Sequence, residues 1–124
     1  MFEVKNYVES DFKSLFNIHR NAFRSYSKKE SLDDFKKSIE NTVGKVLVLQ
    51  NEIIGAIFLE AKDIEGEFKV KKLFITPKYQ NKGLGYFILT HLKEEDEAIK
   101  SIELEISEEN LKTKKFCEKM LKEI

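Results

Sequence analysis

The chain has 124 residues, 41% of them hydrophobic and 35% charged, a balance that fits a folded soluble protein rather than a disordered one. Lysine plus arginine and aspartate plus glutamate both number 22, so the formal net charge is zero; this argues against a nucleic-acid surface and leaves little colloidal repulsion against self-association. No apolar run approaches the roughly 18 residues of a membrane span, Met1-Phe2-Glu3-Val4-Lys5 carries no secretory core, and the single cysteine, Cys117, excludes an internal disulfide and a cysteine-based metal cluster. A single cytoplasmic domain without a metal is the expectation.

Phe2 and Val4 alternate with polar residues, which predicts a short strand. Ser10 is placed to cap a helix carrying Phe12, Leu15, Phe16, His19 and Phe23 at three- and four-residue spacing. After a polar break over 25–29, Ser31-Leu32-Asp33-Asp34 starts a second helix with Leu32, Phe35 and Ile39 inward, on a spacing that resembles a capping box. Asn41 to Gly44 ends it. Lys45–Leu49 reads as a buried strand, Asn51-Glu52 as a turn, and Ile53–Glu60 as the antiparallel return. Asp63 to Gly66 turns the chain again into a long strand over Phe68–Ile75. A helix over about 83–95 follows, then Ser101–Ile106, which alternates as a strand, and a last helix from Asn110 to Lys122. The order β, α, α, β, β, β, α, β, α predicts an α/β fold (a mixed α+β sheet) in which an antiparallel meander meets a parallel strand pair across a helical crossover.

The stretch between the long strand and its helix carries the chemistry. Leu73-Phe74-Ile75-Thr76 meets Pro77, the only proline, and Gln80-Asn81-Lys82-Gly83-Leu84-Gly85 leads into the helix. A strand, a glycine-bearing loop and a helix N-terminus in succession form an anion site, because the first-turn amides lack partners and the dipole places positive charge there. A phosphate or pyrophosphate is the expected guest. A P-loop would need Lys-Ser or Lys-Thr after its last glycine, where Tyr86-Phe87 stands. A dinucleotide fingerprint would need a third glycine where Ile88 stands, although Glu103 or Glu105 lies at the spacing of its acidic residue and keeps that site open.

The whole string Phe74-Ile75-Thr76-Pro77-x-Tyr79-Gln80-x-Lys82-Gly83-x-Gly85 resembles the acyl-CoA-binding motif of the GNAT-type N-acetyltransferases. The resemblance implies a GNAT-like mixed sheet whose parallel strands splay apart, with helices on both faces. It also implies acetyl-CoA as cosubstrate and transfer of its acetyl group to a primary amine of a small molecule or protein. Phe74 and Ile75 would offer backbone groups to the pantetheine arm. The amides of Gln80, Asn81, Lys82, Gly83, Leu84 and Gly85 would hold the pyrophosphate, with Lys82 adding charge. Asn110 matches an asparagine that opens the last helix in the family and contacts the pantetheine; it also reads as an ordinary helix cap.

Counting from Asn110 places Cys117 where the family has a tyrosine that protonates the departing thiolate, with Leu121 and Lys122 at the Gly-Phe that follows. A thiol with a pKa of about 8.5 can donate that proton. No motif marks a general base; Glu67, Glu103 and Glu105 are carboxylates on or beside the central strands. His19 and His91 read as core-edge residues, with no second ligand at metal spacing. The family usually continues beyond the last helix with two more strands, and the sequence stops at Ile124, so a short form is expected. A homodimer covering the edge of 101–106 fits that expectation. A CoA-binding or regulatory module without turnover stays open as the alternative.

Overall fold

The computed structural model describes residues 2–22 and 31–104. Five strands form one mixed sheet in the order β1-β2-β3-β4-β5: β1 Phe2–Asn6, β2 Val43–Leu49, β3 Glu52–Ala61, β4 Glu67–Ile75 and β5 Ser101–Leu104. The first four run antiparallel to their neighbours, and β4 pairs with β5 in parallel. The expected fold class is therefore the observed one. The expected strand 101–106 is described through Leu104. Its last two residues, the loop at 25–29 and the expected C-terminal helix lie outside the described residues.

Two apolar layers hold the helices. Helices α1 Phe12–Ala22 and α2 Leu32–Ile39 pack on one face of the sheet through Leu15 and Phe35, which meet Val46, Val48, Ala56, Phe58 and Phe74. Helix α3 Leu84–Glu95 packs on the other through Leu84, Ile88, Leu89 and Leu92, against Leu47, Ile57, Leu59, Val70 and Leu73. Phe35 is fully buried at the centre of its layer. Its ring lies 5.6 Å from that of Phe12, 5.6 Å from Phe16 and 5.0 Å from His19.

Ser31 caps α2 as expected, its hydroxyl accepting the Asp34 amide at 3.1 Å. Ser10 does not cap α1. A single 3-10 turn over Glu9–Asp11 precedes that helix, and the Asp11 carboxylate accepts the Val8 amide at 3.1 Å. That bond runs from the residue before the turn to a carboxylate inside it, the return half of a capping box, and Ser10 itself lies within the turn. The β2–β3 hairpin turns at Gln50 and Asn51, both with positive φ (49° and 66°), one residue earlier than Asn51-Glu52. Two left-handed residues match the twist of the flanking strands.

β4 contains one irregularity that matters for the site. Phe58 lies opposite Lys72 and Leu59 opposite Val70, so Lys71 is an extra residue, a β-bulge. The bulge moves the side-chain alternation by one position. Phe68 and Val70 before it, and Leu73 and Ile75 after it, all pack on the α3 side.

Candidate functional site

Pairing between β4 and β5 covers Glu67↔Ser101 through Val70↔Leu104, the first part of β4. On its other side β4 stays paired with β3 as far as Gly55↔Ile75. Thr76 donates its amide to the Ile54 carbonyl at 2.7 Å, which marks Ile54/Thr76 as a hydrogen-bonded pair. Hydrogen-bonded and non-hydrogen-bonded pairs alternate along an antiparallel ladder. Ala56/Phe74 is therefore the next hydrogen-bonded pair, and the backbone groups of Phe74 turn to β3. Those of Leu73 and Ile75 turn away from β3, towards the side on which β5 lies. Of the two residues expected to offer backbone to a ligand, Ile75 faces that side and Phe74 does not. Leu73, which sequence reasoning did not single out, shares the orientation of Ile75. The missed signal was available, since residues two apart on a strand share their orientation.

From Ile75 the chain makes a single 3-10 turn over Pro77–Tyr79 and enters the loop. The Gln80 side chain folds back, its Nε2 donating to the Ile75 carbonyl at 2.9 Å. The Gln80 amide points to the Pro77 carbonyl at 3.3 Å. Asn81 and Gly83 then adopt positive φ, 62° and 78°, and α3 begins at Leu84.

The two helix N-termini of α2 and α3 differ in a way that bears on ligands. At α2 the Ser31 hydroxyl fills the cap, and Asp33 and Asp34 complement the dipole. At α3 the cap is Gly83, no side chain bonds the first turn, and no acidic residue stands in it. A Cβ built on Gly83 would meet nothing within 4 Å. The start of α3 therefore presents amides beside open space with uncompensated positive dipole, and Lys78 and Lys82 lie in the loop that leads to it. These residues fit a pyrophosphate: the cradle is glycine, the donors are backbone, and the nearby charge is positive. Lys78 sits over the Tyr79 ring, 5.4 Å from its centroid.

The proposed bases fall elsewhere. Glu67 opens β4, eight positions before Ile75, or about 26 Å along an extended strand. Glu103 lies opposite Lys69. Its carboxylate accepts from Lys62 Nζ at 2.5 Å, and that hydrogen bond holds it below the usual carboxylate range. The structure brings neither to the Gln80–Gly85 loop. Glu105, Asn110 and Cys117 lie outside the described residues. Among the described residues no group of histidine, cysteine and carboxylate side chains could hold a metal ion, and no helix is long and apolar enough to cross a membrane.

On the α1 side of β4, His19 and Lys72 are the buried polar residues, 4% and 9% exposed. The His19 ring stands edge-on to Phe74 at 5.2 Å, and Lys72 Nζ lies 5.5 Å from the Phe35 ring centroid. Burial, and secondarily the Lys72 charge, lowers the His19 pKa to about 3. His19 is neutral in the folded protein at any ordinary pH.

The sequence of residues 12–121 matches the model of the acetyltransferase (GNAT) family. The chain belongs to the GNAT acetyltransferase family. Solved structures agree in fold. The ribosomal-protein-S18-alanine N-acetyltransferase of Escherichia coli superimposes with a TM-score of 0.76 at 19% identity, over 97% of this chain and 76% of that one. The PaiA N-acetyltransferase of Thermoplasma acidophilum, solved in complex with coenzyme A, gives 0.75 at 16% identity over 96% and 87%. A possible acetyltransferase from Clostridium difficile 630 gives 0.73 at 17%, over 97% and 89%. At these identities the superpositions speak for the GNAT fold alone. No curated protein sequence matches the chain.

Proposed function

We propose that this GNAT chain is an N-acyltransferase that takes an acetyl group from acetyl-CoA and passes it to a primary amine. The observation that carries the reading is the uncapped, acid-free N-terminus of α3, led by Gly83, at the end of a loop that starts from the outward-facing backbone of β4. The amides of Asn81 to Gly85, with Lys82, would hold the pyrophosphate. The backbone of Leu73 and Ile75 would pair with the pantetheine arm as a further strand would.

Acetyl-CoA supplies an acyl group activated as a thioester. The protein's part is to orient it and to stabilise charge. An outward amide of β4 at Leu73 or Ile75 is the donor best placed to bond the thioester oxygen as the amine attacks, and a fixed amide does so without reorganisation. The attacking amine must be neutral, and its proton passes to water or to a carboxylate such as Glu105. Cys117 remains the proposed donor to the departing thiolate. A second copy covering the edge of β5 remains the proposed assembly.

Calorimetry with acetyl-CoA and CoA, followed by thiol release over a panel of amines, tests the proposal. Binding of both and amine-dependent thiol release are expected. Protein that ignores both molecules refutes it. Binding without turnover on any amine, together with equal behaviour of Cys117→Ala, would favour the CoA-binding module instead, a reading prompted by a cysteine at the tyrosine position.

A further inference from the structure

We propose that Gln80 acts through its side chain as a strut, setting the spacing between the outward backbone of β4 and the anion-binding start of α3 so that one ligand is held at both ends. The inference rests on the acyl-CoA reading above. Three hydrogen bonds close the corner between strand and loop: Tyr79 amide to the Thr76 carbonyl at 2.9 Å, Gln80 amide to the Pro77 carbonyl at 3.3 Å, and Gln80 Nε2 to the Ile75 carbonyl at 2.9 Å. The first two are local turn bonds. The third alone ties the loop back to the strand, and it joins the last residue of β4 to the residue just before the left-handed Asn81.

The acceptor of that bond is informative. The Ile75 carbonyl is one that the β3–β4 register turns away from β3, towards the region a pantetheine arm would occupy. A carbonyl oxygen has two acceptor positions. Gln80 takes one and leaves the other for a ligand. Gln80 is exposed, as is the hydrogen bond. An exposed neutral bond adds little to folding, because water substitutes for either partner. Its worth lies in the geometry it imposes on two ligand-binding segments that no other side-chain hydrogen bond among the described residues connects.

The role requires a donor at this position and nothing more bulky or more apolar. Gln80→Met keeps the length and loses the donor. Gln80→Glu sets an anionic acceptor against a carbonyl. Gln80→Arg restores a donor. The probes are CoA, adenosine 3′,5′-bisphosphate for the phosphate end and pantetheine for the strand end, each measured by calorimetry, with kcat and KM for acetyl-CoA.

Gln80→Met is expected to weaken CoA about three- to tenfold, the range one neutral hydrogen bond supplies, and Gln80→Glu to weaken it further. Both fragments should bind as to wild type within about twofold, since each uses only one end. KM for acetyl-CoA should rise while kcat at saturation holds, melting should be unchanged, and Gln80→Arg should recover CoA affinity. Unchanged CoA affinity in Gln80→Met overturns the inference. So does a parallel fall of fragments and CoA, or a drop in melting temperature, either of which makes Gln80 a structural residue only. Wild-type protein that binds no CoA refutes the acyltransferase reading itself, a different result from wild-type binding that Gln80→Met leaves intact.

Discussion

Replacing Gly83 separates the demands of the backbone from those of the ligand. Gly83 holds φ at 78°, and a Cβ placed on it would touch no protein atom within 4 Å. The protein therefore tolerates a side chain sterically, and the folding penalty comes from the left-handed conformation alone, about 1–2 kcal/mol for Ala and less for Asn. A penalty of about 1 kcal/mol lowers the melting temperature of a chain this size by roughly 3–5 °C. The ligand pays differently. On the acyl-CoA reading, a side chain at Gly83 would crowd a pyrophosphate bound at the start of α3 and cost it at least one charge-assisted hydrogen bond. Such a bond is worth about 1.5–3 kcal/mol, or roughly 10- to 150-fold in affinity. Gly83→Asn should thus fold almost normally and bind acetyl-CoA at least tenfold more weakly. Gly66→Ala is the control. It carries a similar φ of 86°, and its Cβ would press on Lys100 from Cδ to Cβ, at 2.8 to 3.2 Å, at the opposite end of β4. That variant should lose at least as much stability and keep its CoA affinity. Thermal melts and calorimetry on the three proteins decide the matter, and Gly83→Asn binding acetyl-CoA as tightly as wild type would refute the cradle.

Two further outcomes follow from the core beneath β4. His19 has its pKa lowered to about 3, while an unfolded histidine titrates near 6.5. Below pH 6.5 the unfolded chain therefore takes a proton that the folded one refuses, and stability falls with pH until about 3. Urea unfolding at pH 7 and pH 5 should show the wild type losing about 1–2 kcal/mol more than His19→Gln; parallel losses would contradict a neutral buried ring. Phe35→Ala opens the aromatic layer shared by Phe12, Phe16, His19, Phe58 and Phe74. It should cost about 3–5 kcal/mol in urea unfolding, and a loss below about 1 kcal/mol would remove Phe35 from the centre of that core.

Much of this arrangement is legible in the residues because local chemistry and tertiary packing agree. The apolar spacing of Leu15, Phe16 and His19 gives α1 its buried stripe, and Ser31 caps α2 where its spacing to Asp34 says it should. The Gly83-Leu84-Gly85 stretch starts α3 as expected because it permits the left-handed cap and leaves the amides free. The misreadings have physical causes too. Ser10 falls inside a 3-10 turn that precedes α1, a turn the apolar spacing of the helix does not announce. The roles of Leu73 and Phe74 depend on which ladder pairs are hydrogen-bonded, a property of the β3–β4 register and not of either strand. Glu67 lies on β4 and Glu103 on its neighbour β5, both level with the start of β4 and away from the Gln80–Gly85 loop, because strand membership fixes a direction but not a distance along it.

The bulge at Lys71 links these points. In Phe68-Lys69-Val70-Lys71-Lys72-Leu73-Phe74-Ile75 the apolar alternation slips at the paired lysines, and the structure places the extra residue there. The slip lets Val70 and Leu73 both face α3, and it leaves Lys72 on the α1 side among the aromatic rings. Val70 is also the last residue of β4 described as paired with β5. A bulge bends its strand and adds twist, so the second half of β4 leaves the line set by its first half. One inserted residue thereby does two things at once. It preserves the α3 core on both sides of the irregularity, and with the β3 register it leaves the backbone of Leu73 and Ile75 directed away from β3. On the acyl-CoA reading, the backbone of Leu73 and Ile75 and the start of α3, joined through Gln80, would be spanned by one ligand with an amide-bearing arm at one end and a phosphate at the other.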